Sequence, residues 1–192
     1  MIQKLHTDCC RLTFSLAAPE RLSPLQALKR ALENTETEKV AEVILQSIPY
    51  SGFPAAVEAL GWLRDLDPDS AIETREDHSQ KVFEEVYGAA SEKVADQLHR
   101  RHPDLKEWIL GFAYGTVMGS GPLNTVDLEI LAVSSLLAQS RMTPFHSHLR
   151  GALRCGATKA DLNELLKDLE DIAQPESLSK ARELLRTETS SR

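Results

Sequence analysis

The chain has 192 residues, of which 42% are hydrophobic and 27% charged, enough to bury a full core without disulfide or metal staples. Its 29 acidic residues outnumber the 22 basic ones, for a net charge of -7, which excludes a general nucleic-acid binder whose phosphate contacts need a basic surface. No apolar run approaches the roughly 18–20 residues of a membrane span, and three cysteines with Cys9 and Cys10 adjacent do not make a secreted disulfide framework, so a cytoplasmic protein is expected.

In chain order, the N-terminal stretch carries His6, Asp8 and Arg11 where a signal peptide would be apolar. Val40, Ala41, Ile44, Leu45 and Ile48 form a helical stripe over 37–48. The acidic, turn-rich segment Asp65–Ser70 comes next, then a predicted helix across 79–100. His102-Pro103-Asp104 places proline at a first helical position with an acid in the first turn. Asn124 or Thr125 can cap a helix that is apolar almost all round from Ile130 to Ala138, the pattern of a central helix. Gly156 stops the helix before it, and Thr158 with Asp161 resembles a capping pair for a helix over 158–169. Low aromatic content and the absence of period-two alternation complete an all-α expectation.

An internal repeat is visible at one constant, ungapped offset. Leu28-Lys29-Arg30-Ala31-Leu32 falls on Leu149-Arg150-Gly151-Ala152-Leu153, Thr37 on Thr158, Ala41 on Leu162 and Asp8 on Glu129. The organisation this implies is a degenerate first helical repeat over 1–64, an acidic linker and connecting helix over 65–104, and a second repeat over 105–192. Chance similarity between two amphipathic helix pairs is the alternative.

Chemistry concentrates in 121–158. Glu129 shares a helical row with Ala132, Val133 and Leu136, and a carboxylate there is costly to ionise unless paired. It is either an acid or base in a site or a first-turn glutamate reaching solvent. His146 and His148 are two residues apart, so on a helix they face different directions. His148 lies beside the buried face marked by Phe145, Leu149 and Ala152, whereas His146 lies in the row of Arg150 nearer the rim. His148 is accordingly either an enclosed proton-transferring imidazole or a satisfied core histidine. Gly151 and Ala152 are small enough to let another helix approach closely. Helical geometry disfavours a metal site built from His146, His148, Cys155 and Glu129, and no metal or other cofactor is expected. There is no Cys-x-x-Cys pair, Gly-rich phosphate loop or Gly-x-Ser-x-Gly elbow.

Three stretches resemble the carboxymuconolactone decarboxylase and alkylhydroperoxidase D-like superfamily: 42–60 with its Tyr-x-Gly-x-Pro-Ala-Ala turn, 102–123, and 128–158 with a Glu-bearing helix, a His-bearing helix and a Gly-Ala-Thr turn. The resemblance implies two related helical units and a homo-oligomer, a trimer or hexamer. It puts Glu129 and His148 on the family's glutamate and histidine, while Arg141 and Pro144 occupy the two cysteine positions of its peroxidase branch. It further implies cofactor-independent decarboxylation of a small carboxylated lactone or related acid. His148 would donate the proton, Glu129 would orient it, and Arg141, His146 and Arg150 would bind the acidic substrate. A non-catalytic helical scaffold is the alternative, encouraged by Ala27 and Asp8 at the first-unit counterparts of His148 and Glu129. A thiol peroxidase using Cys9, Cys10 or Cys155 ranks third.

Overall fold

A computed structural model describes residues 7–70, 81–119 and 121–188. Every regular element among them is helical, as the periodicity requires. The helices are α1 (Thr7–Ala17), α2 (Pro24–Leu32), α3 (Thr37–Gln46), α4 (Ile48–Leu66), α5 (Lys81–Tyr87), α6 (Ser91–Arg101), α7 (Pro103–Trp108), α8 (Thr125–Ala138), α9 (Met142–Arg154), α10 (Lys159–Asp168) and α11 (Pro175–Thr187).

The start and stop signals explain most boundaries. Pro103 opens α7, and the His102 ring accepts the Asp104 amide at 3.2 Å. The Asn124 side chain accepts the Asp127 amide at 2.9 Å to cap α8. Thr158 and Asp161 form a reciprocal capping box at α10, after Gly156 turns the chain at φ +115°. The stripe predicted over 37–48 is divided, because Ser47 ends α3 and Ile48 already belongs to α4, whose Pro49 has no amide to continue the earlier ladder.

The predicted helix across 79–100 is also divided. Its described part is α5, a 3-10 turn over Gly88–Ala90, and α6, with Gly88 at φ +51°; residues 79 and 80 lie outside the described residues. A further departure comes after α7. Ile109–Met118 is a π-helix, in which i→i+5 bonding widens each turn. Nothing in the hydrophobic pattern distinguishes that winding from α.

α8 is central. Leu131 to Ala138 are all buried, and the helix packs chiefly on α9 and α1. Phe14, Leu28, Ile44, Leu63, Phe145 and Leu162 belong to the same continuous core, and so do Phe83 and Val86 of the connecting segment. Shifted by the offset that puts Thr37 on Thr158, α1, α2 and α3 fall on α8, α9 and α10.

Candidate functional site

Glu129 is fully buried on α8, and both its carboxylate oxygens lie 3.1 Å from His148 Nδ1 on α9. The two side chains meet because α8 and α9 are consecutive helices packed side by side. They meet this closely because residue 151 is glycine. A Cβ there would overlap Glu129 Oε2 and lie 2.9 Å from Glu129 Cδ and 3.0 Å from Val86 Cγ1. The carboxylate occupies the space a side chain at 151 would take. An ionised carboxylate only accepts, so Nδ1 carries the shared hydrogen and Nε2 is the ring nitrogen left free of Glu129.

His148 is 8% exposed and lines a cavity of about 540 Å³. The chain has three tyrosines, and all three line this cavity: Tyr50, Tyr87 and Tyr114. Tyr50 meets the imidazole edge-on, with ring centroids 5.7 Å apart. The Tyr114 hydroxyl donates to the Tyr87 oxygen at 3.0 Å, and Phe83 packs against both rings. Burial, reinforced by the negative charge of Glu129, raises all three phenols above their ordinary range, so they are held as hydrogen-bond donors. Because Tyr114 spends its proton on Tyr87, the Tyr87 proton is the one left for another acceptor.

Backbone irregularities place these groups. Gly52, at φ +81°, breaks α4 just after Tyr50, whose carbonyl accepts Gln139 Nε2 at 2.6 Å. In the π-helix, Ile109, Ala113, Tyr114 and Met118 all line the cavity, at the spacing that a wider turn aligns on one face. Gly88 bends the chain directly after Tyr87.

The expected substrate-binding residues are dispersed. Arg141 is exposed at the start of α9 and does not line the cavity. His146 Nε2 and Arg150 Nε lie 2.5 and 3.7 Å from the two oxygens of Glu188, away from His148. Pro144 lines the cavity, as does Arg101, the one arginine or lysine among its described lining residues. Sequence reasoning missed Tyr50, Tyr87, Tyr114 and Arg101 as site residues. The available signal was the scarcity of tyrosine, but Tyr87 and Arg101 fall in the segment read as a connector.

Among the described residues, no cysteine lines the cavity. Burial, then the negative charges of Glu129 and Glu85, push the Cys155 thiol up to about 12, and burial also raises Cys9 and Cys10. Thiols so shifted are protonated at neutral pH and poor nucleophiles. At the positions that the same offset puts on His148 and Glu129, Ala27 and Asp8 line an open pocket, and Arg30, at the position matching Gly151, lies 4.0 Å from Asp8. Among the described residues no three His, Cys, Asp or Glu side chains converge as a metal site, and no helix is long and apolar enough to cross a membrane.

Residues 103–187 match the carboxymuconolactone decarboxylase family model. The matched stretch bears out the superfamily resemblance and contains Tyr114, Glu129 and His148, while Tyr50, Tyr87 and Arg101 precede it. The chain is also 26% identical to Peroxisomal protein 2 of Schizosaccharomyces pombe, over 73% of this chain and 72% of that protein. To Peroxisomal protein 2 of Saccharomyces cerevisiae it is 24% identical over 64% of this chain, spanning 56% of the relative's length.

This packing has two measurable consequences. Gly151→Ala forces the Glu129 carboxylate off His148 and should destabilise the protein by about 1–3 kcal/mol, the usual cost of overpacking. Denaturant unfolding of the two proteins side by side measures it. Cys155 should also alkylate with iodoacetamide much more slowly at pH 8 than a free thiol, with the rate still climbing towards pH 11. Its raised pKa keeps the thiolate scarce until then. Mass spectrometry of the modified peptide reads the rate.

Proposed function

We propose that this chain is a cofactor-independent carboxy-lyase of the carboxymuconolactone decarboxylase type, acting on a small carboxylated lactone or related acid. The observation that carries this reading is the His148–Glu129 pair buried beside a tyrosine-lined cavity. An apolar pocket removes water from a substrate carboxylate, and loss of carbon dioxide disperses that charge. The carbon–carboxylate bond breaks and its electron pair moves into the adjacent unsaturated carbonyl, leaving an enolate. Tyr87 is placed to donate its hydrogen bond to the enolate oxygen. His148 Nε2 then delivers its proton to carbon, while Glu129 stabilises the imidazolium before the transfer. One proton is consumed for each carbon dioxide released, and His148 recovers it from solvent.

Arg101 replaces Arg141 in this scheme as the cation at the cavity wall that holds a substrate carboxylate. The two runs α1–α3 and α8–α10 are read as related units, of which only the second keeps a His–Glu pair. The cytoplasmic location expected from cysteine usage stands beside a peroxisomal one suggested by the relatives' names, and imaging of a tagged chain separates the two.

Self-association belongs to the same reading. Phe53 and Val57 on α4, with Trp108 and Phe112 on α7 and its π continuation, are exposed, and the Phe53 and Phe112 rings lie 5.7 Å apart. Side chains this large are more usually covered.

On a panel of lactone acids, His148→Gln and Glu129→Gln should each lower kcat by roughly 10²–10⁴, the usual loss for a general acid or base. The double variant should be little worse than either single, because both groups serve one step. Full activity in both singles on a confirmed substrate overturns the assignment. Light scattering should give a trimer or hexamer of the 21.3 kDa chain, and Val57→Glu with Trp108→Glu should shift it towards the monomer. A wild-type mass that stays at 21.3 kDa at micromolar concentration contradicts self-association.

A further inference from the structure

Beside the cavity lies a second recess of about 250 Å³ that shares Tyr87, Val94, Gln97 and Ser147 with it. The recess adds Lys93 from α6 and Arg150 and Arg154 from α9. Among the described residues, neither space is lined by any aspartate or glutamate, in a chain whose acids outnumber its bases by 29 to 22. The two adjoining spaces therefore present Arg101, Lys93, Arg150 and Arg154 on walls that carry no carboxylate of their own.

Two of these cations are fixed by their surroundings. Arg154 donates to the Val86 carbonyl, and its stem lies over Gly88, where a Cβ would sit 3.3 Å from Arg154 Cδ. The left-handed glycine after Tyr87 thus makes room for the guanidinium beside Tyr87, and one donation to Val86 leaves most of its five N–H donors free. Arg150 is steadied by Glu188, whose carboxylate also contacts His146. Counting Glu188 against the three cations leaves an excess of about two positive charges, the complement of a phosphate monoester dianion rather than of a carboxylate.

We infer that the substrate carries a phosphate group remote from its reacting carboxylate, seated on Lys93, Arg150 and Arg154 while the apolar body enters the tyrosine-lined cavity. Given the carboxy-lyase reading on which this rests, the phosphate anchors a part of the molecule that does not react. Binding energy from such a part can hold the carboxylate in an apolar site it would otherwise avoid.

The test is calorimetric titration of the full chain with three probes sharing one body: 3-phenylpropyl phosphate, 3-phenylpropionate and 3-phenylpropanol. The phosphate should bind tightest, by about tenfold or more over the alcohol, and weaken as salt rises. Lys93→Gln and Arg154→Gln should each weaken the phosphate by about tenfold and leave the alcohol unchanged. Because the alcohol reports the cavity alone, a variant that loses both has lost structure, and Lys93→Gln, on the exposed side of α6, then decides. The inference is overturned if none of the probes binds. It is equally overturned if the phosphate binds no tighter than the carboxylate or the alcohol, or if Lys93→Gln leaves phosphate affinity intact. Binding is read without turnover, so failure of the carboxy-lyase reading, seen as full activity in His148→Gln, is a separate result.

Discussion

A carboxylate with no exposure to water sits at the centre of this helical protein, and much of its surroundings is arranged around that cost. Glu129 lies on the most buried helix, where an unpaired charge would be strongly destabilising. It is tolerated because His148 supplies a hydrogen to both carboxylate oxygens, and because Gly151 vacates the volume the carboxylate fills. The same contact determines the imidazole tautomer and leaves Nε2 for whatever enters the cavity. Packing, charge pairing and chemistry therefore depend on one approach of α8 and α9, and a single methyl group at 151 is enough to disturb all three.

The rest of the site is assembled by departures from regular helix. A break at Gly52, a turn at Gly88 and the π-wound Ile109–Met118 each carry one tyrosine to the cavity. Regular α-helices would present a stripe with a tighter period, and Tyr114 and Met118 would turn away from the face of Ile109 and Ala113. Such irregular backbone costs stability and is commonly retained where a site needs it. The phenols it gathers are kept protonated by burial and by Glu129, so the carboxylate that pairs with the imidazole also maintains the donors around it.

Charge is distributed unevenly about this centre. Among the described residues, the acids that give the chain its negative balance are absent from the walls of the cavity and of the recess beside it, while four basic side chains are present. Two of these, Lys93 and Arg101, come from the segment between the helical runs and lie outside the stretch matched by the carboxymuconolactone decarboxylase family. The family-like helices thus hold the buried His148–Glu129 pair, and much of the surrounding wall comes from before them.

The sequence by itself determined the helical class, a cap for α8 at Asn124 or Thr125, the capping of α10 and the central place of α8, and it singled out Glu129 and His148 as candidates while leaving a purely structural role open for each. These rest on local rules: the apolar period of a helix, the hydrogen-bonding reach of a cap, and the cost of a carboxylate on an apolar row. It also indicated that His146 and His148 face apart, since their spacing alone decides that. Only the tertiary structure decided which cations accompany His148. Arg141 is exposed and Arg150 belongs to the neighbouring recess, whereas Arg101 reaches the cavity from a distant part of the chain. The convergence of Tyr50, Tyr87 and Tyr114 was likewise invisible, because each reaches the cavity through a break or π-turn that hydrophobic periodicity does not encode. Periodicity reports which face of a helix is buried. What that face meets depends on contacts between residues far apart in the chain.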